Sequence, residues 1–526
     1  MKHVAKNLPG SPARVSRRDL LKMAGAAGLT LAASGLLTFG APAHAATPKR
    51  GGRVRVAGAN SSVSDTLDPA KGTNSGDYLR QFLIFSALTE LDDKLAPQPG
   101  LAESWDTKDG KTWSLRLRQG VSFHNGKSLT PQDVVYSLMR HKDPATASKA
   151  KASADSFDSV TASGERDVQV VLKSPNVELP ALLATSHFLI VPDGTTDFSA
   201  PAGTGPFKVK SFKPGVNTIA TRNENFWKPG QPYLDEVELM GVTDKVARTN
   251  GLISGDLDIA LTVSPRDIPR IRATGRHDVL ETKSGLYTDL ILRQDVAPTN
   301  NPDFVQAIKY LQNRERMRTT VLEGYGTIAN DQPVPPWHPY YLADLPQRPY
   351  DPDRAAFHIK RANLSGAGGD LVTSPNIEGA LDNALLLQQS ANRAGLKLNV
   401  RRVPYDGYWS NHWMKHPMSY GSIIPRPTLE MLFSQFFRSN APWNESGWQN
   451  TQFDQLLDAA RGETDNGRRK QMYGDMQTLI HAHCGVVIPV FISFLDGFNT
   501  RVRGLASNPS GMLMGYRFAE HIWVDA

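Results

Sequence analysis

Hydrophobic and polar residues change their spacing within one short stretch of the chain, from the alternation of a strand to the period of a helix. Residues 113–118 alternate apolar and polar side chains, which predicts a strand with one buried face. An Asn-Gly pair at 125–126 then indicates a turn. Thr130 and Asp133 have the spacing of a capping box around Pro131, so we expect a helix to begin at Pro131.

The remainder of the chain shows the same mixture of strand and helix patterns, without internal repeats. Short apolar or alternating runs predict strands at residues 53–57, 168–172, 207–212 and 486–491. Apolar residues near helical spacing predict helices at residues 77–91, 302–324, 453–460 and 468–480. Six prolines lie between residues 332 and 349, which predicts an irregular connection. The patterns therefore indicate a mixed α/β protein.

The first 45 residues have the pattern of an export signal. Arg17 and Arg18 lie in a motif typical of twin-arginine signals, and a long run without formal charge leads to the small-residue site at Ala45. We therefore expect cleavage near Ala45 and a periplasmic mature protein. The alternative is a membrane anchor, because the uncharged run is long enough to cross a bilayer. No cysteine stands at the cleavage site, which argues against a lipid anchor.

Charge, cysteine content and length narrow the class of protein. Six basic residues and one acidic residue of the leader account for most of the formal net charge of +7. The rest of the chain has no basic stripe interleaved with aromatic residues, so we expect no nucleic-acid partner. Cys484 is the only cysteine, so no intramolecular disulfide can form. The length that follows the leader suggests two or three lobes.

Motifs for catalysis and metal binding are sparse. The sequence has no nucleophile elbow, no P-loop and no His-Glu-x-x-His motif, so we expect neither enzyme activity nor a cofactor. His412 and His416 lie four residues apart and would share a helix face as metal ligands. A pair of surface histidines without a third ligand is the favoured alternative, and no metal is expected. For His124 we expect hydrogen bonds to the local backbone of its turn.

Two blocks of sequence carry a resemblance to a known family. The first contains LAESW, LRLRQGVSFHNG and LTPQDVVYSL between residues 101 and 138. The second contains GTGPFKVKSF, RNENFW, PYLDEVEL and LISGDLDIA between residues 203 and 260. With these blocks the chain resembles the family 5 extracellular solute-binding proteins, which serve ABC importers of oligopeptides, dipeptides, nickel and related solutes. The resemblance extends over nearly the whole chain after the leader.

This resemblance implies an α/β, two-lobed periplasmic-binding-protein fold of type II, with the extra subdomain of the peptide-binding group and a ligand cleft between the lobes. The implied boundaries are a signal peptide at 1–45, lobe I at 46–90, 205–285 and 495–526, an inserted subdomain at 91–204, and lobe II at 286–494. The implied function is the capture of a small polar organic solute, peptide or peptide-like and including acidic compounds, by a monomer that delivers it to an ABC permease. The alternatives are a nickel or metal-chelate binding protein of the same family and a periplasmic metal-dependent enzyme.

The resemblance also implies which residues meet the ligand. Loop 71–76 matches a lobe I loop that contacts ligand backbone in relatives, with an ordinary Gly-rich turn as the alternative. Ile423 stands where peptide-binding relatives carry the Asp that neutralises a free amine, and Arg426 stands where they carry a second Asp. The arginine that dipeptide binders use for the ligand carboxylate has no counterpart at residues 371–376. The predicted ligand-binding residues are Asn74, Ser75, Gly76, Trp409, Tyr420, Ser422, Ile423 and Arg426.

Arg426 changes the expected solute. A guanidinium in a closed cleft favours a bidentate oxygen partner, so an acidic or carbonyl-rich solute is favoured over a zwitterionic dipeptide. The alternative for Arg426 is a surface arginine between two prolines. The aromatic residues between 405 and 420 are candidates for the pocket wall, with core packing as their alternative.

Overall fold

The computed structural model describes residues 47–375 and 377–525, and the predicted leader at 1–45 lies outside the described residues. Within them the strands are β1 (Arg53–Gly58), β2 (Thr89–Leu91), β3 (Pro97–Pro99), β4 (Ala102–Thr107), β5 (Thr112–Leu117), β6 (Phe157–Ala162), β7 (Asp167–Leu172), β8 (Phe207–Lys213), β9 (Asn217–Arg222), β10 (Glu236–Gly241), β11 (Ile259–Ala260), β12 (His277–Leu292), β13 (Gly326–Ile328), β14 (Gly368–Thr373), β15 (Lys397–Arg402), β16 (Met418–Ile423), β17 (Val486–Val487), β18 (Val490–Asn499), β19 (Val502–Arg503) and β20 (Trp523–Val524).

The α-helices of the described chain are mostly short, and irregular turns join them. They are α1 (Ser75–Ile84), α2 (Pro131–Met139), α3 (Lys151–Ala154), α4 (Leu179–Leu182), α5 (Lys245–Ser254), α6 (Ile268–Arg272), α7 (Pro302–Tyr310), α8 (Arg314–Arg316), α9 (Pro352–Arg361), α10 (Ala380–Arg393), α11 (Tyr408–Asn411), α12 (Leu429–Phe436), α13 (Thr451–Gly462), α14 (Asn466–His483) and α15 (Phe518–His521). A π-helical turn, Met317–Val321, follows α8. None of the described helices is both long enough and apolar enough to cross a bilayer.

Two long antiparallel strands, β12 and β18, lie at the centre of the largest sheet. The sheet has the strand order β15-β14-β16-β12-β18-β11-β1-β10-β9-β8. β12 pairs with β18 from His277 to Tyr287 and with β16 from Tyr287 to Leu292, with an irregularity between Thr282 and Leu286. β12 therefore belongs to both ends of the sheet. We call the end with β1 and β8–β11 lobe I, and the end with β14–β16 lobe II.

Each lobe has its own apolar core, built from strands whose side chains are buried. In lobe I, Val54 and Val56 of β1 pack with Val237 of β10 and with α1. In lobe II, Leu371 and Val372 of β14 pack against helices on the sheet faces. Continuous burial of this kind is typical of a sheet that is covered on both sides. The lobe boundaries at single-residue precision remain the predictions given above.

A separate four-stranded antiparallel sheet, in the order β4-β5-β7-β6, forms a third core with α2 and α4. We call this unit the inserted subdomain. Trp113, Leu115 and Leu117 are buried on one face of β5, while Ser114 and Arg116 between them are exposed. The predicted strand and its buried face are thus confirmed.

The predicted helix start at Pro131 is confirmed, and Asp133 is the residue that holds it. The Asp133 carboxylate accepts hydrogen bonds from the Thr130 backbone N–H at 2.8 Å and from the Asp193 backbone N–H at 2.8 Å. Lys127 Nζ lies 2.7 Å from the same carboxylate. Asp133 is fully buried, so its hydrogen bonds replace water that it cannot reach.

Replacing Asp133 by alanine is expected to lower the free energy of unfolding by about 2 kcal/mol, because two backbone N–H groups and Lys127 lose their acceptor. Urea unfolding followed by intrinsic fluorescence measures this change. Gln132→Ala is the matched control, since Gln132 is exposed in the same helical turn. A loss no larger than that of the control would contradict the role given to Asp133.

Three predicted elements are interrupted by contacts that local sequence does not reveal. α1 ends at Ile84 rather than continuing to residue 91, because the Gly205 N–H donates to the Ile84 carbonyl oxygen at 2.8 Å. The helix predicted at 302–324 breaks after Tyr310 and restarts at Asn313, whose side chain caps α8. The strand predicted at 486–491 is divided at Pro489 into β17 and β18, as expected for a residue without an N–H donor.

His124 does not bond the local backbone of its turn, and that prediction is wrong. Its Nε2 lies 3.0 Å from the Gly205 carbonyl oxygen, and the Gly203 N–H donates to its Nδ1 at 3.2 Å. Burial lowers the pKa of His124 to about 4, so the ring is neutral at pH 7. A Cβ at residue 203 would lie 1.8 Å from the Ile84 carbonyl oxygen, which explains why glycine stands there. His124 therefore joins in space the two sequence blocks that carry the family resemblance.

Candidate functional site

A cavity of about 530 Å³ lies among lobe I, the inserted subdomain and lobe II. This volume is in the range of binding sites for small molecules. Most of the lining comes from loops and from the ends of helices. The side chains that shape it most are Tyr78, Phe82 and Tyr516 of lobe I, Lys149 and His187 of the inserted subdomain, and Arg426, Gln435 and Trp443 of lobe II.

Aromatic rings form the lobe I side of the cavity. Tyr78 lies edge-on to His187 at 5.6 Å and to Tyr516 at 5.5 Å between ring centroids. Phe82, one helical turn after Tyr78, stacks on Tyr516 at 6.4 Å. Such a wall provides apolar contact area with few rotatable bonds.

Tyr516 reaches the cavity from an unusual backbone turn near the C-terminus. Four successive residues have positive φ, with values of 42° at Leu513, 61° at Met514, 67° at Gly515 and 69° at Tyr516. Left-handed conformations are costly for residues other than glycine, so the surrounding structure must hold them. The buried Asp496 carboxylate on β18 accepts a hydrogen bond from the Leu513 N–H at 3.4 Å. This contact fixes the start of the turn to the central sheet.

Asp496 is a buried carboxyl group without a cation beside it among the described residues. It also accepts a hydrogen bond from the Thr262 N–H at 3.2 Å. Burial raises the pKa of Asp496 to about 6, because desolvation outweighs these two hydrogen bonds.

Arg426 projects from the segment between β16 and α12 into the cavity. Its Nε donates to the Gln435 side-chain oxygen at 2.7 Å, and its Nη1 donates to the Ile424 carbonyl oxygen at 2.7 Å. The guanidinium also lies over the Phe436 ring, 5.1 Å from its centroid. Burial lowers the pKa of Arg426, although the group remains charged at neutral pH. Within the described chain no carboxylate pairs with Arg426, so its outer N–H groups are available to a ligand.

The two acidic residues of the lining are already neutralised. Lys228 Nζ lies 2.6 Å from Glu90 and 2.6 Å from Glu520. Arg517 pairs with both carboxylates as well. Lys149, in contrast, is exposed and makes no ion pair among the described residues. The cavity therefore carries an excess of positive charge, and no acidic group in its described lining is free to receive an ammonium.

The sequence of residues 96–445 matches the family model described as bacterial extracellular solute-binding proteins, family 5 Middle. The chain belongs to the family 5 bacterial extracellular solute-binding proteins. The resemblance read from the two sequence blocks is thus confirmed. Members of this family bind solutes outside the cytoplasm, and the family is not one of enzymes.

Three known proteins are similar to this solute-binding protein in sequence or in structure. Heme-binding protein A of Haemophilus influenzae is 26% identical over 456 residues, which cover 79% of this chain and 82% of that protein. The periplasmic binding protein DppA of Helicobacter pylori, in complex with peptide STSA, has a TM-score of 0.77, 21% identity and coverage of 91% and 99%. AgaA of A. tumefacien R10, in complex with agropinic acid, has a TM-score of 0.73, 22% identity and coverage of 90% and 99%. These structures confirm the two-lobed fold of type II.

Of the eight residues predicted to meet the ligand of this solute-binding protein, Arg426 lies in the cavity lining. The neighbouring residues of the lobe I loop, Gly72 and Thr73, also line it. Asn74 instead caps α1 by accepting from the Asp77 N–H at 3.1 Å, and Ser75 Oγ donates to Asn60 at 3.1 Å. At Gly76 a Cβ would lie 2.6 Å from the Asn60 carbonyl oxygen, so this glycine permits close packing within lobe I.

The four remaining predicted residues lie in lobe II outside the lining. Tyr420 and Ile423 are buried in its cores, and Ser422 lies opposite Thr288 in the sheet. Trp409 is partly exposed and packs edge-on against Trp413 at 5.7 Å. For Tyr420 the core-packing alternative describes the observed contacts, and ligand contact by all four residues remains an untested prediction.

Several lining residues were missed by sequence reasoning. Tyr78 and Phe82 follow the predicted loop on α1, and this proximity was the one available signal. His187, Trp443 and Tyr516 carry no local signal, because each reaches the cavity through a distant part of the chain.

His412 and His416 approach one another, with 3.0 Å between Nδ1 and Nε2. They lie outside the lining of the cavity. In the described part of the chain no group of three or more His, Cys, Asp or Glu side chains converges as it would around a metal ion.

Proposed function

We propose that this protein is the periplasmic substrate-binding component of an ABC importer and that it captures a small organic anion with a carboxylate group. The observation that carries this proposal is the position of Arg426, a partly buried guanidinium in the cavity without an acid partner among the described residues. A ligand carboxylate that accepts from its outer N–H groups would supply the missing counter-charge.

The remaining lining supports a peptide-like body for this anion. The aromatic wall of Tyr78, Phe82 and Tyr516 suits an apolar side chain, and the cavity volume of about 530 Å³ suits a compound of two or three residues in size. In the described lining a free amine has no unpaired acid to meet, because Glu90 and Glu520 are both engaged with Lys228 and Arg517. An anion is therefore favoured over a zwitterion.

Export and delivery complete the proposed role. The leader at 1–45 would direct the chain through the twin-arginine pathway and be removed near Ala45, and the monomer with its solute would dock on a membrane permease. The metal-chelate alternative has less support, because His187 is the one histidine in the described lining and no group of three or more His, Cys, Asp or Glu side chains converges in the described part of the chain.

Three forms of one dipeptide have similar shapes but different charges, so they test which charge on the ligand the protein binds. N-acetyl-Ala-Phe carries only a carboxylate, Ala-Phe carries both charges, and Ala-Phe-amide carries only an ammonium. Calorimetric titration of protein refolded free of ligand is expected to give the tightest binding for the acetylated acid, and binding of the amide weaker by at least about 10-fold. Preferential binding of the amide, or binding of none of the three, would contradict the proposal.

A further inference from the structure

A short segment of the inserted subdomain reaches across to lobe II beside the cavity. The Val177 N–H donates to the Arg461 carbonyl oxygen at the end of α13, at 3.0 Å. Met431 of α12 packs against the core of the inserted subdomain. These contacts join two parts of the chain that both line the cavity.

Glu178 provides the polar part of this junction. Its Oε2 accepts a hydrogen bond from the Glu430 backbone N–H, in the first turn of α12, at 3.2 Å. Its Oε1 accepts a hydrogen bond from the Tyr473 hydroxyl of α14 at 3.2 Å. A carboxylate in this position satisfies an otherwise open N–H group and interacts favourably with the helix dipole. The Glu430 side chain is turned to Arg461, with which it forms an ion pair.

Helix α12 carries the groups that set the position of Arg426. Gln435 accepts the Arg426 Nε–H at 2.7 Å, and the Phe436 ring supports the guanidinium. Met431 and Gln435 themselves line the cavity. On the other side of the junction, α4 begins directly after Glu178 and brings Leu182 to the lining. A shift of the N-terminus of α12 would therefore move the anion site relative to the inserted subdomain.

We propose that Glu178 is a positioning residue, which holds α12 against the inserted subdomain and so keeps Arg426 aligned over a bound solute. This inference rests on the proposed function for its effect on affinity, although its effect on α12 does not depend on any ligand. Glu178 is not part of the cavity lining and does not itself contact the solute.

Glu178→Ala is expected to raise the dissociation rate of N-acetyl-Ala-Phe by about 10-fold while changing its association rate less than about 2-fold, because the junction acts after the solute has entered. The dissociation rate of Glu178→Gln should fall between those of the parent protein and Glu178→Ala, since an amide oxygen still accepts a hydrogen bond but carries no charge. Stopped-flow binding measures both rates. Glu165→Gln is the matched control, because Glu165 is exposed in the same subdomain.

Hydrogen exchange of the ligand-free protein tests the same idea without a ligand. In Glu178→Ala the backbone amides at residues 430–432 are expected to exchange at least about 10-fold faster than in the parent protein, and those of α13 far from the junction to stay unchanged. Unchanged exchange at residues 430–432 would overturn the inference, whether or not the protein binds N-acetyl-Ala-Phe. If amides 430–432 exchange faster in Glu178→Ala but the parent protein does not bind N-acetyl-Ala-Phe, the proposed function is overturned and the role of Glu178 in holding α12 stands. Equal dissociation rates in Glu178→Ala and Glu165→Gln would also overturn the inference.

Discussion

Replacing Arg426 by glutamine is expected to weaken binding of N-acetyl-Ala-Phe by at least about 100-fold, which corresponds to roughly 3 kcal/mol. Two effects add to this loss. The charged hydrogen bonds to the carboxylate disappear, each worth about 1.5–3 kcal/mol, and the carboxylate is left without a counter-charge in a cavity partly removed from water. Glutamine keeps a polar side chain without charge, but it is shorter and also loses the contact of the guanidinium with the Phe436 ring.

Two further variants separate charge from geometry in this experiment. Arg426→Lys retains the charge but loses the planar fork and the contact with Gln435, and we expect an affinity between those of the parent and Arg426→Gln. Arg393→Gln removes an exposed arginine that makes no ion pair among the described residues and should leave affinity unchanged. Calorimetric titration measures the affinities, and thermal melting verifies the fold. Parent-like affinity in Arg426→Gln would show that the anion is held elsewhere.

The features that local sequence predicted well are those that depend on neighbours in the chain. β5 follows from alternation at residues 113–117, and the start of α2 follows from the spacing between Thr130 and Asp133. For both elements the physical cause lies within a few residues, so a single sequence contains it. Arg426, which lies in the cavity lining, was singled out only through the acid that the family resemblance led us to expect at that position, and its contact with a ligand stays a prediction.

The features that were missed depend on long-range contacts. α1 stops at Ile84 because its carbonyl oxygen is taken by Gly205, more than one hundred residues later. Tyr516 reaches the cavity through four left-handed residues that Asp496 on β18 helps to hold. The sequence near Leu513 does not predict this turn, since three of its four residues are of types that disfavour positive φ. The sequence therefore predicts only part of the candidate ligand site.

A buried pair of acidic residues in lobe II was also not predicted from the sequence. Asp289 of β12 lies opposite Gly421 of β16, and a Cβ at residue 421 would lie 2.8 Å from Asp289 Oδ1 and 2.5 Å from Glu445 Oε1. Both carboxyl groups are almost fully buried, and neither has a cation partner in the described part of the chain. The Trp413 indole N–H donates to Glu445 at 2.6 Å. The glycine thus provides the space in which two acids meet.

These surroundings make the pair costly to ionise. Burial raises the pKa of Asp289 to about 7, and burial together with the Asp289 charge raises the pKa of Glu445 well above its ordinary value. In the unfolded chain an aspartate loses its proton near pH 4. Folding is therefore favoured by protonation, and the contribution of Asp289 to the free energy of unfolding is lost as pH rises from about 4 through about 7.

Asp289→Asn is expected to stabilise the protein at pH 8 by about 3 kcal/mol and to change its stability by less than about 1 kcal/mol at pH 4.5. The amide is neutral at both pH values, and its NH₂ group can donate to a carboxyl oxygen of Glu445. Chemical unfolding at both pH values measures the difference from the parent protein. Asp93→Asn, at an exposed position, should show no such dependence.

The difference between variant and parent is the decisive quantity, because other buried groups also depend on pH. Burial lowers the pKa of His124 and His481 to about 4, so these rings destabilise the fold as pH falls below about 6.5 in both proteins. Asp496, whose pKa is raised to about 6, is likewise common to both. These shared contributions cancel in the comparison. An equal effect of Asp289→Asn at pH 4.5 and pH 8 would mean that the pair is not a site of proton uptake on folding, and that the excess stability has a packing origin.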